Sequence, residues 1–144
     1  MGGNDSKPQT YTIYICGAVV SEGYYEVTEG ETYFDAIRKA GLLPQTCVPS
    51  NQSSLIDGKQ NIIVVNYVEN GIEHSCHDAN DPFFALRRPM GNLSCEIVNK
   101  LADYSEEYGI IHNKETLRAI LGEEDYENNH YKLFIAEADY EKAN

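Results

Sequence analysis

Tryptophan is absent, cysteine numbers only four, and basic residues are outnumbered, 11 Lys and Arg against 23 Asp and Glu, for a formal charge of -12. Each shortage excludes something. Cys16, Cys47, Cys76 and Cys95 stand too far apart for a CxxC pair and are too few to define a disulfide scaffold. Scarce cations mean that the field of the whole chain repels a phosphate backbone, so nucleic-acid binding requires a local basic patch. No apolar run approaches the roughly 18 residues of a spanning helix. The longest, Asn61 to Val68, is broken by Asn66 and reads as a strand. No charged-then-apolar signal opens the chain; residues 1–9 read as a start residue, a cloning scar and a polar linker, with a chance match to the Met-Gly-x-x-x-Ser lipidation pattern.

What is present suffices for a folded core. Hydrophobic residues make up 42% of the chain and 11 Tyr with 4 Phe supply aromatic bulk, which excludes global disorder. Chemistry-bearing motifs are thin. His74, His77, His112 and His130 lie in polar or terminal contexts, no Ser or Cys occupies a nucleophile motif, and no Gly-rich loop follows a strand. The cluster His74-Ser75-Cys76-His77-Asp78 has ligand types but no second ligand pair at a zinc-site spacing. Neither an enzyme, nor a metal, nor a cofactor is expected. Cys16 and Cys95 read as small buried apolar groups, and Cys47 and Cys76, both in loops, could bridge in an oxidising compartment.

Periodicity divides the chain. Tyr11, Ile13 and Ile15 alternate with Thr12, Tyr14 and Cys16 as in a half-buried strand, and Tyr24 to Val27 resumes the pattern beyond Gly17 and Gly23, which predicts a hairpin. Thr32 with Asp35 three residues on forms a capping-box signature; Tyr33, Ala36, Ile37 and Ala40 then recur at helical spacing, with Gly41 as the left-handed stop. After a loop rich in Pro, Ser, Asn and Gln, Asp57-Gly58 turns into the β-branched run at Asn61, and Asn70-Gly71 predicts a type I′ turn into an edge strand over Ile72 to Ser75. The expected core holds Tyr33 or Phe34, Ile37, Ile13, Ile15, Val64 and Tyr67. The second half is helical. Ser94 caps a helix carrying Ile97, Val98, Leu101, Tyr104 and Tyr108 and stopped by Gly109; Asn113 caps another with Leu117, Ile120 and Leu121, ended by Gly122; Tyr131 to Lys142 reads as a further helix. The expectation is an α+β chain: a β-grasp domain over residues 10–76 and a small all-α domain over 80–144.

Residues Thr12 to Val19, Gly23-Tyr24-Tyr25-Glu26-Val27, Glu29 to Thr32, Phe34 to Ile37 and Ala40-Gly41 resemble the SLBB motif, a soluble ligand-binding β-grasp, over about Tyr11 to Val68. Glu22 stands where that family often has Pro, and Leu42 where a second Gly is common. With a helical part following, the order resembles the ComEA-like competence DNA receptors, whose C-terminal domain carries helix-hairpin-helix motifs. Asn80 stands at the family's Asn opening the first helix, Met90 at the Leu before the hairpin, and Asn92-Leu93-Ser94 at its Gly-Ile-Gly. Leu101, Tyr104 to Gly109 and Glu115-Thr116-Leu117 continue in register.

The resemblance implies an extracytoplasmic bacterial DNA receptor for uptake in competence, secreted or held by an anchor upstream of residue 1, contacting duplex DNA without sequence preference. Candidate contacts are Arg87, Arg88, Gly91, Asn92, Leu93, Ser94 and Lys100. A helix-hairpin-helix holds phosphate on backbone N-H groups at a helix start, where glycines allow close approach. Here Asn92 and Ser94 replace both glycines, Asn92 being expected to keep the left-handed geometry. Glu123, Glu124 and Asp125 occupy the second hairpin, and Glu96 competes at the first, so any DNA binding is expected to be weak, about 10⁻⁴ M at physiological salt. The alternative reading is a non-DNA-binding SLBB module that takes a soluble ligand or associates with itself at the cell surface.

Overall fold

The computed structural model describes residues 9–48 and 62–135. The linker before residue 9, the Asp57-Gly58 turn, Asn61 and the end of the last expected helix lie outside these residues. Strand β1 (Thr10–Gly17) is central in a three-stranded sheet of order β2-β1-β3. It pairs antiparallel with β2 (Gly23–Thr28) and parallel with β3 (Ile62–Val65), with helix α1 (Tyr33–Ala40) between β2 and β3 in the chain. Thr32 and Asp35 close the expected capping box on α1. Gly41 ends it at φ 90 and ψ 144, a positive φ but outside the left-handed helical well.

From Ile13 to Gly17 β1 is covered on both faces, which corrects the half-buried reading for that stretch, while Thr10 and Thr12 remain exposed. Ile13 and Ile15 pack with Val27, Ala36, Ile37, Ala40, Ile63 and Val65, whereas Tyr14 and Cys16 point the other way into the helical core with Leu93, Ile97, Leu117 and Leu133. The Tyr14 hydroxyl donates to the carbonyl of Ile135 at 2.6 Å. β1 and β3 approach closely because Gly17, at φ 99, has no side chain: a Cβ there would sit 2.5 Å from the carbonyl oxygen of Val65. Val64 does not join the core. Ile63 aligns with Ile15 and faces α1, so the alternation of β3 sends Val64 outward. Tyr33 packs partly against the α1 core, while Phe34 lies under the Arg38 guanidinium at 5.6 Å.

The run expected as one strand breaks at Asn66. β4 (Tyr67–Glu69) leaves the sheet and forms a hairpin with β5 (Ile72–His74) across Asn70-Gly71, both at positive φ as the turn type requires. Tyr67 is buried, though with Ala18, Cys76 and Tyr131 rather than around α1. After β6 (His77–Asp78) and a 3₁₀ turn (Pro82–Leu86) come α2 (Cys95–Tyr108), α3 (Lys114–Leu121) and α4 (Glu123–Asn129). Ser94 and Asn113 cap α2 and α3 through the N-H groups of Ile97 and Thr116. Two positions depart from the expected α2: Tyr108 and Cys95 are exposed. The helix expected from Tyr131 is instead a 3₁₀ turn (His130–Lys132) leading to β7 (Leu133–Phe134), which pairs parallel with β6. Among the described residues no helix is long and apolar enough to cross a membrane.

All four cysteines are free, so Cys47 and Cys76 do not bridge. The Cys76 Sγ lies 3.2 Å from the carbonyls of both Val65 and Tyr131, which share its one proton, and burial pushes its pKa up to about 12. His74 stacks on Tyr67 at 5.3 Å and His77 sits against Gly91, so the histidine-cysteine cluster is spread over different neighbours.

Candidate functional site

The hairpin begins at the 3₁₀ turn Pro82–Leu86, whose carbonyls are closed off by Arg87 in left-handed conformation. Met90 and Leu93 then exchange backbone hydrogen bonds of 3.2 and 2.8 Å across a tight turn, and Ser94 starts α2. Leu93 points inward and is buried between the flanking elements. Gly91, not Asn92, takes the positive φ, and a Cβ there would sit 2.8 Å from His77 Nε2. Asn92 is turned to another use. Its Nδ2 donates to Glu69 Oε1 at 2.9 Å and its carbonyl accepts from Lys132 Nζ at 3.0 Å. Glu69 also accepts from the Tyr131 hydroxyl at 3.0 Å, so the turn is fastened to β4 and to the segment after α4.

The cations expected beside this hairpin are largely engaged. Arg87 Nη1 lies 2.8 Å from Asp103 Oδ1 and 3.4 Å from Asn99 Oδ1, and its Nη2 is 3.8 Å from Glu106 Oε2. Lys100 donates to Asp125 Oδ2 at 2.8 Å and to the Leu121 carbonyl at 2.9 Å. The hydrogen bond to Asp125 raises the Lys100 pKa. Arg88 is exposed. At the position of the second hairpin, Gly122 ends α3 and α4 starts at once, which places Glu123, Glu124 and Asp125 in a first turn. No side chain caps this turn; Glu123 pairs with Arg118 at 3.2 Å and Asp125 with Lys100 at 2.8 Å, so the acidic turn adds negative charge where a phosphate would have to sit.

A second polar site lies where the β1–β2 turn meets α3. Glu22 is buried; its Oε2 accepts from the Gly17 N-H at 2.8 Å and lies 3.8 Å from Lys114 Nζ, while Oε1 has no hydrogen-bond partner among the described residues. Lys114 also donates to the carbonyls of His130 and Leu133 at 3.0 and 3.3 Å. Burial raises the Glu22 pKa and lowers that of Lys114, and each partner's charge opposes the other's shift. The pair borders a cleft of about 470 Å³ that is also lined by Arg118, Tyr126 and His130. Arg118 lies over the Tyr126 ring at 4.8 Å, and that ring stacks on His130 at 4.9 Å. Burial, then Lys114 and Arg118, lowers the His130 pKa to about 4.

Neither a protein-family model nor a curated protein matches the chain. The site therefore rests on its own geometry. Sequence reasoning missed the Glu22–Lys114 pair. Its trace is the acid standing where the SLBB motif favours Pro; Lys114 alone, one of several surface-type lysines, carries no such signal. Among the described residues no three His, Cys, Asp or Glu side chains converge on a metal-sized space.

Proposed function

We propose that this chain is a protein-interaction module: an SLBB-like β-grasp followed by a degenerate helix-hairpin-helix half that does not take duplex DNA. The strand order β2-β1-β3, with β1 and β3 parallel and α1 between β2 and β3, supports the β-grasp part. The engagement of the hairpin cations carries the functional part. Arg87 and Lys100 spend their charge on Asp103, Glu106 and Asp125, and Asn92 is held by Glu69 and Lys132. A phosphate would have to displace these partners against the excess negative charge of the whole chain. The setting that goes with this reading is extracytoplasmic, as in the family the sequence resembles.

Fluorescence anisotropy with a short labelled DNA duplex, at low and at physiological salt, tests it. No saturable binding is expected at either. A Kd well below about 10⁻⁴ M at physiological salt, weakening steeply as salt rises, would make the DNA-receptor reading correct instead.

A further inference from the structure

The cleft beside Glu22 and Lys114 takes its walls from both halves of the chain. Val19 to Glu22 and Leu43 contribute from the sheet side, and Lys114, Arg118, Tyr126, Glu127 and His130 from α3, α4 and the turn that follows. At about 470 Å³ it falls in the range of small-molecule sites. It shares no lining residue with the hairpin over residues 87–94.

Three kinds of surface meet there. Val19, Val20 and Leu43 are apolar, and Val20 is 59% exposed. Glu22 supplies an acceptor: its side chain is 2% exposed, and Oε1 has no hydrogen-bond partner among the described residues. Nearly every buried polar atom of a folded chain is paired, so this oxygen is short of a donor. Lys114 does not provide one. Its ammonium donates to the carbonyls of His130 and Leu133 and lies 3.8 Å from the other oxygen, Oε2. Arg118 is the more accessible cation. It stands about one helical turn from Lys114 on the same face of α3, with its side chain 52% exposed. Its Nε lies 3.2 Å from Glu123, whose side chain is 74% exposed, and so open a pair is weak enough for a ligand carboxylate to replace.

Charge narrows the occupant. Glu22 and Glu127 balance Lys114 and Arg118, and His130, with a pKa of about 4, adds no charge at neutral pH. The chain as a whole carries -12. A simple anion drawn to Arg118 is repelled by that field and by Glu22, whereas a simple cation drawn to Glu22 has Lys114 and Arg118 beside it. A molecule carrying both charges answers both groups, and the apolar wall suits an aliphatic side chain.

We propose that the cleft between the β1–β2 turn and the α3–α4 segment binds a small zwitterion, an α-amino acid with an aliphatic side chain. Its ammonium donates to Glu22, its carboxylate takes Arg118, and its side chain lies on Val19, Val20 and Leu43. This site is separate from the hairpin and does not rest on the interaction-module reading.

The test is an NMR titration of the full chain at neutral pH with L-leucine, L-valine and L-methionine. Two leucine relatives run beside them: isocaproate, which lacks the amine, and isoamylamine, which lacks the carboxylate. At least one amino acid should bind saturably with a Kd of about 1 mM or below, and its amide shifts should concentrate in residues 19–22, 43 and 114–130. Both relatives should bind about tenfold more weakly or not at all. Arg118→Gln changes an exposed side chain and so is compatible with folding; it should weaken the amino acid about tenfold or more and leave isoamylamine unaffected. Glu22→Gln keeps the size of the side chain and should weaken both. Far-ultraviolet dichroism shows whether that buried variant folds, and Arg118→Gln decides the matter if it does not. No saturable binding by any of the three amino acids would overturn the proposal. So would equal binding by either relative, undiminished amino-acid binding by Arg118→Gln, or shifts centred elsewhere. The DNA experiment fails separately, since duplex binding would sink the interaction-module reading and leave this site standing.

Discussion

Glu22 and Lys114 meet where the turn after β1 faces the start of α3, and neither is comfortable there. A buried pair gains attraction but gives up hydration, so it contributes little net stability while its disruption is costly, about 3–5 kcal/mol when one partner is removed. Lys114 meets part of its cost with two carbonyls, whereas one oxygen of Glu22 finds no partner among the described residues. The neighbouring His130 sets a measurable pH dependence. Its pKa falls from an ordinary 6.5 to about 4 on folding, so between these values the unfolded chain binds more protons. Stability from burying the neutral ring is therefore fully present above about 6.5 and is lost as pH falls toward 4. Glu22 works in the opposite direction: its raised pKa makes ionisation a cost that is absent below 4.5 and grows as pH rises. Replacing His130→Phe keeps a ring against Tyr126 and removes the titration. Urea unfolding across this range should show a flatter acid limb in the variant than in the parent. An unchanged slope would mean that His130 is not the group responsible.

At the scale of elements, close approach of backbones sets what a residue can be. Gly17→Ala would drive a Cβ against the Val65 carbonyl at a φ that L residues avoid, on the strand that both cores share. Overpacking of this kind costs about 1–3 kcal/mol, so the denaturation midpoint should fall with the m-value unchanged. A neutral result would show that β3 can retreat from β1. Elements whose signals are local were legible in the sequence: the capping box of α1, the Asn70-Gly71 turn, and the Ser94 and Asn113 caps all depend on residues within four positions. Elements fixed by distant partners were not. Asn66 ends β3 because its backbone and side chain serve Cys47 and Glu73, and Leu133–Phe134 becomes a strand because β6 offers it a ladder. The candidate site divides the same way. Inward Leu93 fits its place at the apolar residue between the hairpin glycines of the family the sequence resembles, whereas Arg87 and Lys100 proved to be held by carboxylates on other turns and helices that no local pattern connects to them.

The whole molecule is tied across the point where the sequence changes period. Tyr14 and Cys16 of the first sheet lie in the same buried cluster as Leu93, Ile97, Leu117 and Leu121. The ladder β6–β7, the Glu22–Lys114 pair and the contacts of Asn92 with Glu69 and Lys132 with Glu69 add polar links over long separations. Two halves joined only by a linker would unfold independently, but a common core removes that freedom, because melting the helices exposes one face of β1. Thermal unfolding should therefore be a single transition, with near-ultraviolet dichroism of the tyrosines and far-ultraviolet dichroism of the helices superimposing. Peptides covering residues 10–79 and 80–144 should each fail to fold alone, the first with Tyr14 and Cys16 bare and the second without the sheet that covers Leu93 and Leu133. Mixing the two should restore helicity if the shared core is what holds them. Separate transitions, or either half folding cooperatively by itself, would show instead that each half carries a sufficient core and that their contact is a docked interface.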